Sequence, residues 1–232
     1  RHGSAVILFM KNALFIGAGA PWVEGAGYLV RQATTLRALA QVAKLHLALF
    51  DYPADAPPPP FDATVTSLQM RRHPEIGKVR AGLADVFSSI PRMVRGIMVG
   101  GLGGIRAEDF DAIVAYRIEF TYAAGVLGKP RLVLDVDDPE HLRWRRRMEA
   151  SCTPLDWRTR RDLEKLRQFE CNAVAGAAQA WVCQEQERAA FPSSNVIVVP
   201  NGVRIPEPVK CGQGEARATV LFLGNFAGGE GN

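Results

Sequence analysis

Apolar positions along the chain recur in two rhythms, and each predicts a different element. Short runs of apolar or β-branched residues at 13–18, 45–50, 63–67, 112–115, 132–136, 180–183 and 196–199 have the make-up of strands buried on both faces. Between them, spacings of three and four residues predict helices at 28–42, 76–97, 120–127 and 158–178. Strands that alternate with helices in this way predict a doubly wound α/β domain, its mostly parallel, Rossmann-like sheet covered on both faces.

The interruptions predict the domain plan. In the helix at 76–97, Val79, Leu83, Val86, Ile90 and Val94 share one face with Ile76 and Ile97, and Pro91 bends or splits it. The segment 54–60 holds four consecutive prolines, stiff extended chain that belongs to a surface connection and not to a central strand. A second interruption, IPEPVKCGQG, has the composition of a linker. The expected plan is a leader over 1–12, one domain over 13–205, a linker over 206–215, and from 216 the first strand and loop of another domain. That last piece, TVLFLGNF, starts as a buried strand and runs into glycines.

At 232 residues the chain is long enough for a full hydrophobic core. A net charge of +4 permits anionic substrates or an acidic membrane surface, and is too small to imply nucleic acid. Four scattered cysteines without a C-x-x-C pair, beside four histidines, read as reduced thiols in a cytoplasmic protein with no metal site. The apolar stretch 5–10 is too short to span a bilayer.

Candidate chemistry collects at predicted strand ends. GAGAPW, starting at Gly17, opens like a dinucleotide fingerprint, but Trp22 stands where the third glycine belongs, which argues against a nicotinamide cofactor despite Asp51 at the end of the second strand. Gly25 and Gly27 precede the helix that carries Arg31. Small residues there let backbone N–H groups approach an anion, with Arg31 adding a charge-assisted bond; alternatively they serve a turn, and Arg31 lies on a solvated face. In LVLDVDDP, alternation sends Asp135 and Asp137 to one side of the strand and Asp138 into the loop. Crowded carboxylates raise at least one pKa and suit a proton acceptor or metal ligand, whereas Asp138 before Pro139 also reads as a helix N-cap. Arg117 could meet an anionic substrate or pair with Glu119. The run RWRRR, from Arg143, could hold phosphates, rest on anionic lipid, or form a solvated helix face.

Taken in order, GKPRLVLDVDDPEHL, LRQFECNAVAGAAQAWVCQEQER, NVIVVPNGV and TVLFLGNF resemble the retaining glycosyltransferases of the GT-B fold, family four, over roughly residues 13–226. The resemblance implies an N-terminal acceptor domain joined through PNGV to a domain that binds a nucleotide sugar. It implies that Gly25, Gly27 and Arg31 face the cleft, where Arg117 is a further candidate from its strand end, that Asp137 and Asp138 stand beside the reacting sugar, and that Gly224 lies near the nucleotide diphosphate. Gln184 and Glu185 fall where the family often has Ser-Glu. The implied activity is transfer of a sugar from a UDP- or GDP-sugar, as substrate and with no tightly bound cofactor, to a glycan or lipid-linked cell-envelope acceptor. The place implied is the cytoplasmic face of the membrane, held peripherally. The later donor motif is missing, so the 232-residue chain is expected to be an inactive piece of the transferase. A non-catalytic α/β binding module, in which the same residues serve packing and turns, is the competing expectation.

Overall fold

All seven apolar runs become strands, each starting and ending within one residue of its expected place: β1 (Asn12–Ala18), β2 (Lys44–Phe50), β3 (Ala63–Leu68), β4 (Ala112–Tyr116), β5 (Leu132–Asp137), β6 (Gln179–Val182) and β7 (Val196–Val198). They are seen in a computed structural model that describes residues 11–23, 27–71, 88, 90–150 and 156–201. Residues 1–10 of the leader, Gly25, most of the helix expected at 76–97, the linker and the segment containing Gly224 lie outside the described residues, while Asn12, the last leader residue, opens β1. The helices are α1 (Gly27–Leu39), α2 (Arg92–Arg95), α3 (Ile118–Ala123), α4 (Glu140–Ala150), α5 (Trp157–Ala175) and α6 (Glu185–Arg188). Pro91 stands extended as the N-cap of α2, at φ −65° and ψ 152°.

The strands form one sheet in the order β3-β2-β1-β4-β5-β6-β7, and every pairing is parallel. Strand alternation divides the core in two. Leu14 and Ile16 of β1 join Leu132, Leu134 and Val136 of β5 and Ala173 and Val174 of α5 on one face. Ala13 and Phe15 join Leu45, Leu47 and Leu49 of β2 and Leu36 and Leu39 of α1 on the other. This is a doubly wound, Rossmann-like α/β fold. Chain order reverses between β1 and β4, and in such sheets the crevice outside the strand C-termini at that reversal is where ligands sit.

Two local devices fix helices to this frame. Gly17 leaves room for Gln32, whose Oε1 accepts from the Ala18 N–H at 3.1 Å; a Cβ at Gly17 would stand 2.2 Å from that oxygen and 2.6 Å from Phe15. The start of α4 is held from another helix: Glu170 of α5 accepts from the backbone N–H groups of Glu140 at 2.8 Å and His141 at 3.0 Å, and from His141 Nδ1. A buried carboxylate thus satisfies donors that a helix N-terminus otherwise leaves without partners.

Candidate functional site

The chain turns sharply where the central strands end. Gly19 after β1 has φ 68°, Asp51 after β2 has φ 52°, Arg117 after β4 has φ 57°, and Asp137 at the end of β5 has φ 59°. Glycine takes this left-handed conformation freely, but side-chain-bearing residues are strained there. Among the described residues the three non-glycine cases all lie at this one end of the sheet. The pairing of β5 with β6 also shifts register between Asp135 and Asp137, an irregularity of the kind that re-aims side chains.

A cavity of about 570 Å³ opens at the reversal, lined by residues from the ends of β1, β2 and β4. Ala18, Gly19 and Ala20 form its floor, Tyr28, Tyr116 and Phe120 supply aromatic wall, and Asp51, Asp55 and Arg117 are its charged groups. The proline-rich connection closes one side through Pro53, Ala56 and Pro57. Trp22 holds it there: its indole N–H donates to the Pro57 carbonyl at 2.7 Å, and its ring meets Tyr52 and Phe61.

Beside the cavity lies a buried network of charges. Arg31 is only 5% exposed, and Asp135, at 2%, accepts its Nη2 at 2.6 Å and its Nε at 2.9 Å. Arg31 Nη1 donates to the Val199 carbonyl at 2.9 Å and to Asn201 Oδ1 at 2.8 Å, so α1, β5 and the chain after β7 are tied by one guanidinium. Burial pushes the Asp135 carboxyl above its usual range, and the guanidinium against it pulls the other way. Asp137 accepts from the Tyr116 hydroxyl at 2.7 Å and from Arg117 Nη2 at 3.3 Å on one oxygen, and from Cys183 Sγ at 3.4 Å on the other. Burial pushes the Cys183 thiol up to about 12, which keeps it a protonated donor. Arg117 stacks over Tyr116 and Tyr28, at 5.4 and 6.0 Å from the ring centroids, while its Nε has no hydrogen-bond partner.

The carboxylates further from the cavity are also perturbed. Burial raises the Glu119 carboxyl, which stands 3.8 Å from Arg117 and has one oxygen without a hydrogen-bond partner. Burial likewise raises Asp138, whose Oδ1 lacks a hydrogen-bond partner and has Arg146 at 3.6 Å. Carboxyls shifted upward near a cleft are candidates for holding or passing a proton.

Of the residues singled out in the sequence, Arg31 and Asp137 meet directly, at 3.7 Å, with Arg117 on the far side of Asp137. Arg117 also faces the cavity, and Asp138 sits one residue beyond, outside it. Gly27 opens α1. Gln184 is the N-cap of α6 and Glu185 is on the surface, paired with Arg188. Sequence reasoning missed Cys183 as a neighbour of Asp137, and Glu187, which accepts from the Cys183 N–H at 2.9 Å. It also missed the choice of Asp135 as partner to Arg31. A carboxylate inside a strand buried on both faces demands a nearby cation, and that was the available signal.

Fold and site define a doubly wound α/β protein with a ligand-sized cavity at its topological reversal. No protein-family model matches the chain, and no curated protein matches it. Among solved structures it is similar to a UDP-glucosyltransferase from Polygonum tinctorium capable of glucosylating indoxyl, determined with 3,4-dichloroaniline, at 13% identity and a TM-score of 0.40. The match covers 87% of this chain and 54% of the other, so the chain spans about half the length of that structure.

Proposed function

We propose that the chain is the acceptor-side half of a retaining, family-four-like GT-B glycosyltransferase, which moves a sugar from a UDP- or GDP-sugar to a glycan or lipid-linked acceptor. The observation that carries the reading is the convergence of the DVDD segment and the PNGV segment. Through Arg31, Asp135 is bonded to Asn201, next to a cavity at the sheet reversal. The order of the motifs along the chain supports the same reading.

In this reading the acceptor hydroxyl enters the cavity, and Arg117, which lines it beside the rings of Tyr28 and Tyr116, orients the acceptor. Asp137 and Asp138 stand at the edge where the transferred sugar is held, and burial raises the Asp138 carboxyl. Arg31 is a positioning residue that fixes the strand end against Val199 and Asn201. Stabilisation of the departing diphosphate belongs to the second domain, near Gly224, where preorganised donors contribute most to such a reaction.

The full-length protein, incubated with labelled UDP- and GDP-sugars and a cell-envelope lipid extract, is expected to transfer label. Asp137→Asn should lower kcat at least about 100-fold, the size of effect that follows loss of one preorganised polar group. Asp138→Asn, placed outside the buried network, should lower kcat with the far-ultraviolet circular dichroism unchanged. Absence of transfer from every donor, or full turnover in both variants, refutes the assignment. A second reading, a non-catalytic binding module, draws on the full internal occupation of Arg31 and Asp137; it expects those variants to change stability alone.

A further inference from the structure

Helix α4 leaves the core almost at once. After Leu142, all but Met148 of its residues are exposed, and the first residues of α5, which packs against α4, are exposed as well. Two of the chain's four tryptophans stand on this pair of helices, Trp144 39% and Trp157 59% exposed. An exposed tryptophan is uncommon on a surface with no partner, and here two occur together.

The same two helix segments, 143–150 and 156–161, hold seven arginines against Glu149 and Asp156, and Arg143 and Arg146 are paired with Glu140 and Asp138, which leaves a local charge of +3. The whole chain carries +4, so most of its net charge lies here. The positive charge of the molecule is therefore concentrated where its tryptophans are exposed.

We propose that the outer end of the α4–α5 pair docks on an anionic membrane surface. Arginines meet the phosphates of acidic lipids, and the indole rings enter the headgroup layer, where aromatic side chains with one polar edge partition best. Single-stranded nucleic acid, the other polyanion such a patch attracts, fits less well. It binds by stacking bases on ring faces, and one face of each ring is already taken, Arg147 lying over Trp144 at 6.0 Å and Arg158 over Trp157 at 5.4 Å. This inference stands independently of the sugar-transfer reading.

The test is co-sedimentation of the 232-residue chain with vesicles of phosphatidylcholine containing 30% phosphatidylglycerol, beside vesicles of phosphatidylcholine alone. Binding is expected only to the acidic vesicles, to weaken on raising salt from about 0.1 to 0.5 M, and to shift tryptophan emission to the blue. Arg145→Ala with Arg160→Ala should weaken binding about 25-fold, about fivefold for each charge removed, and the lysine pair should restore most of it. Trp144→Ala with Trp157→Ala should abolish the blue shift while far-ultraviolet circular dichroism stays unchanged. No binding to acidic vesicles, equal binding to both vesicle types, or tighter binding to a single-stranded oligonucleotide overturns the proposal.

Discussion

Arg31 and Asp137 show how residue chemistry was partly readable in the chain. The side of the sheet that Asp137 takes and its closeness to a strand end followed from alternation and from the position of apolar runs, whereas for Arg31 a solvated face had stayed open, which its burial excludes. Their partners did not follow, because Asp135 lies 104 residues from Arg31 and Cys183 lies 46 from Asp137. Glu119 gives a residue-scale prediction about pH. Burial raises its folded-state pKa above the ordinary 4.5, so between those two values the folded protein binds more protons than the unfolded chain. Stability attributable to Glu119 is therefore greatest below 4.5 and is lost as pH rises through the folded pKa. Glu119→Gln should consequently gain urea stability relative to the parent as pH increases, and level off above that pKa. A difference that is flat from pH 4 to pH 8 would show that Glu119 ionises alike in both states.

At the scale of elements, strands were the most legible because burial on both faces leaves an unbroken apolar run bounded by turn residues. Helix starts were harder. Helix α3 begins at Ile118, two residues before its apolar pattern suggested, because the left-handed turn at Arg117 launches it early. The N-terminus of α4 was read as a candidate Asp138 cap, yet the carboxylate that receives its N–H groups comes from Glu170, thirty residues away. Glu170→Ala leaves those buried donors and His141 without their acceptor. Each lost bond of this kind costs roughly 1–3 kcal/mol, so the variant should lose at least about 2 kcal/mol in urea unfolding, with a matching loss of helical ellipticity. A loss under about 0.5 kcal/mol would mean that another acceptor replaces it.

For the molecule as a whole, the parallel α/β layout was legible from the alternation of strand and helix patterns, while the cavity was not. Its wall depends on Trp22 reaching Pro57, a contact between a broken glycine motif and a proline run that neither stretch announces alone. No described helix is long and apolar enough to cross a membrane.

The turns at Asp51, Arg117 and Asp137 give the sheet two unequal ends: one relaxed, and one kept in conformations that side chains resist. Asp51→Gly, which removes the resistance, should leave stability unchanged or raise it by up to about 1 kcal/mol, whereas Asp51→Val should lower it by about 2 kcal/mol or more, both read from urea midpoints. Selection for heat resistance alone would then drift toward glycine around the cavity mouth, and the carboxylate at position 51 would survive only while something that enters the cavity requires it.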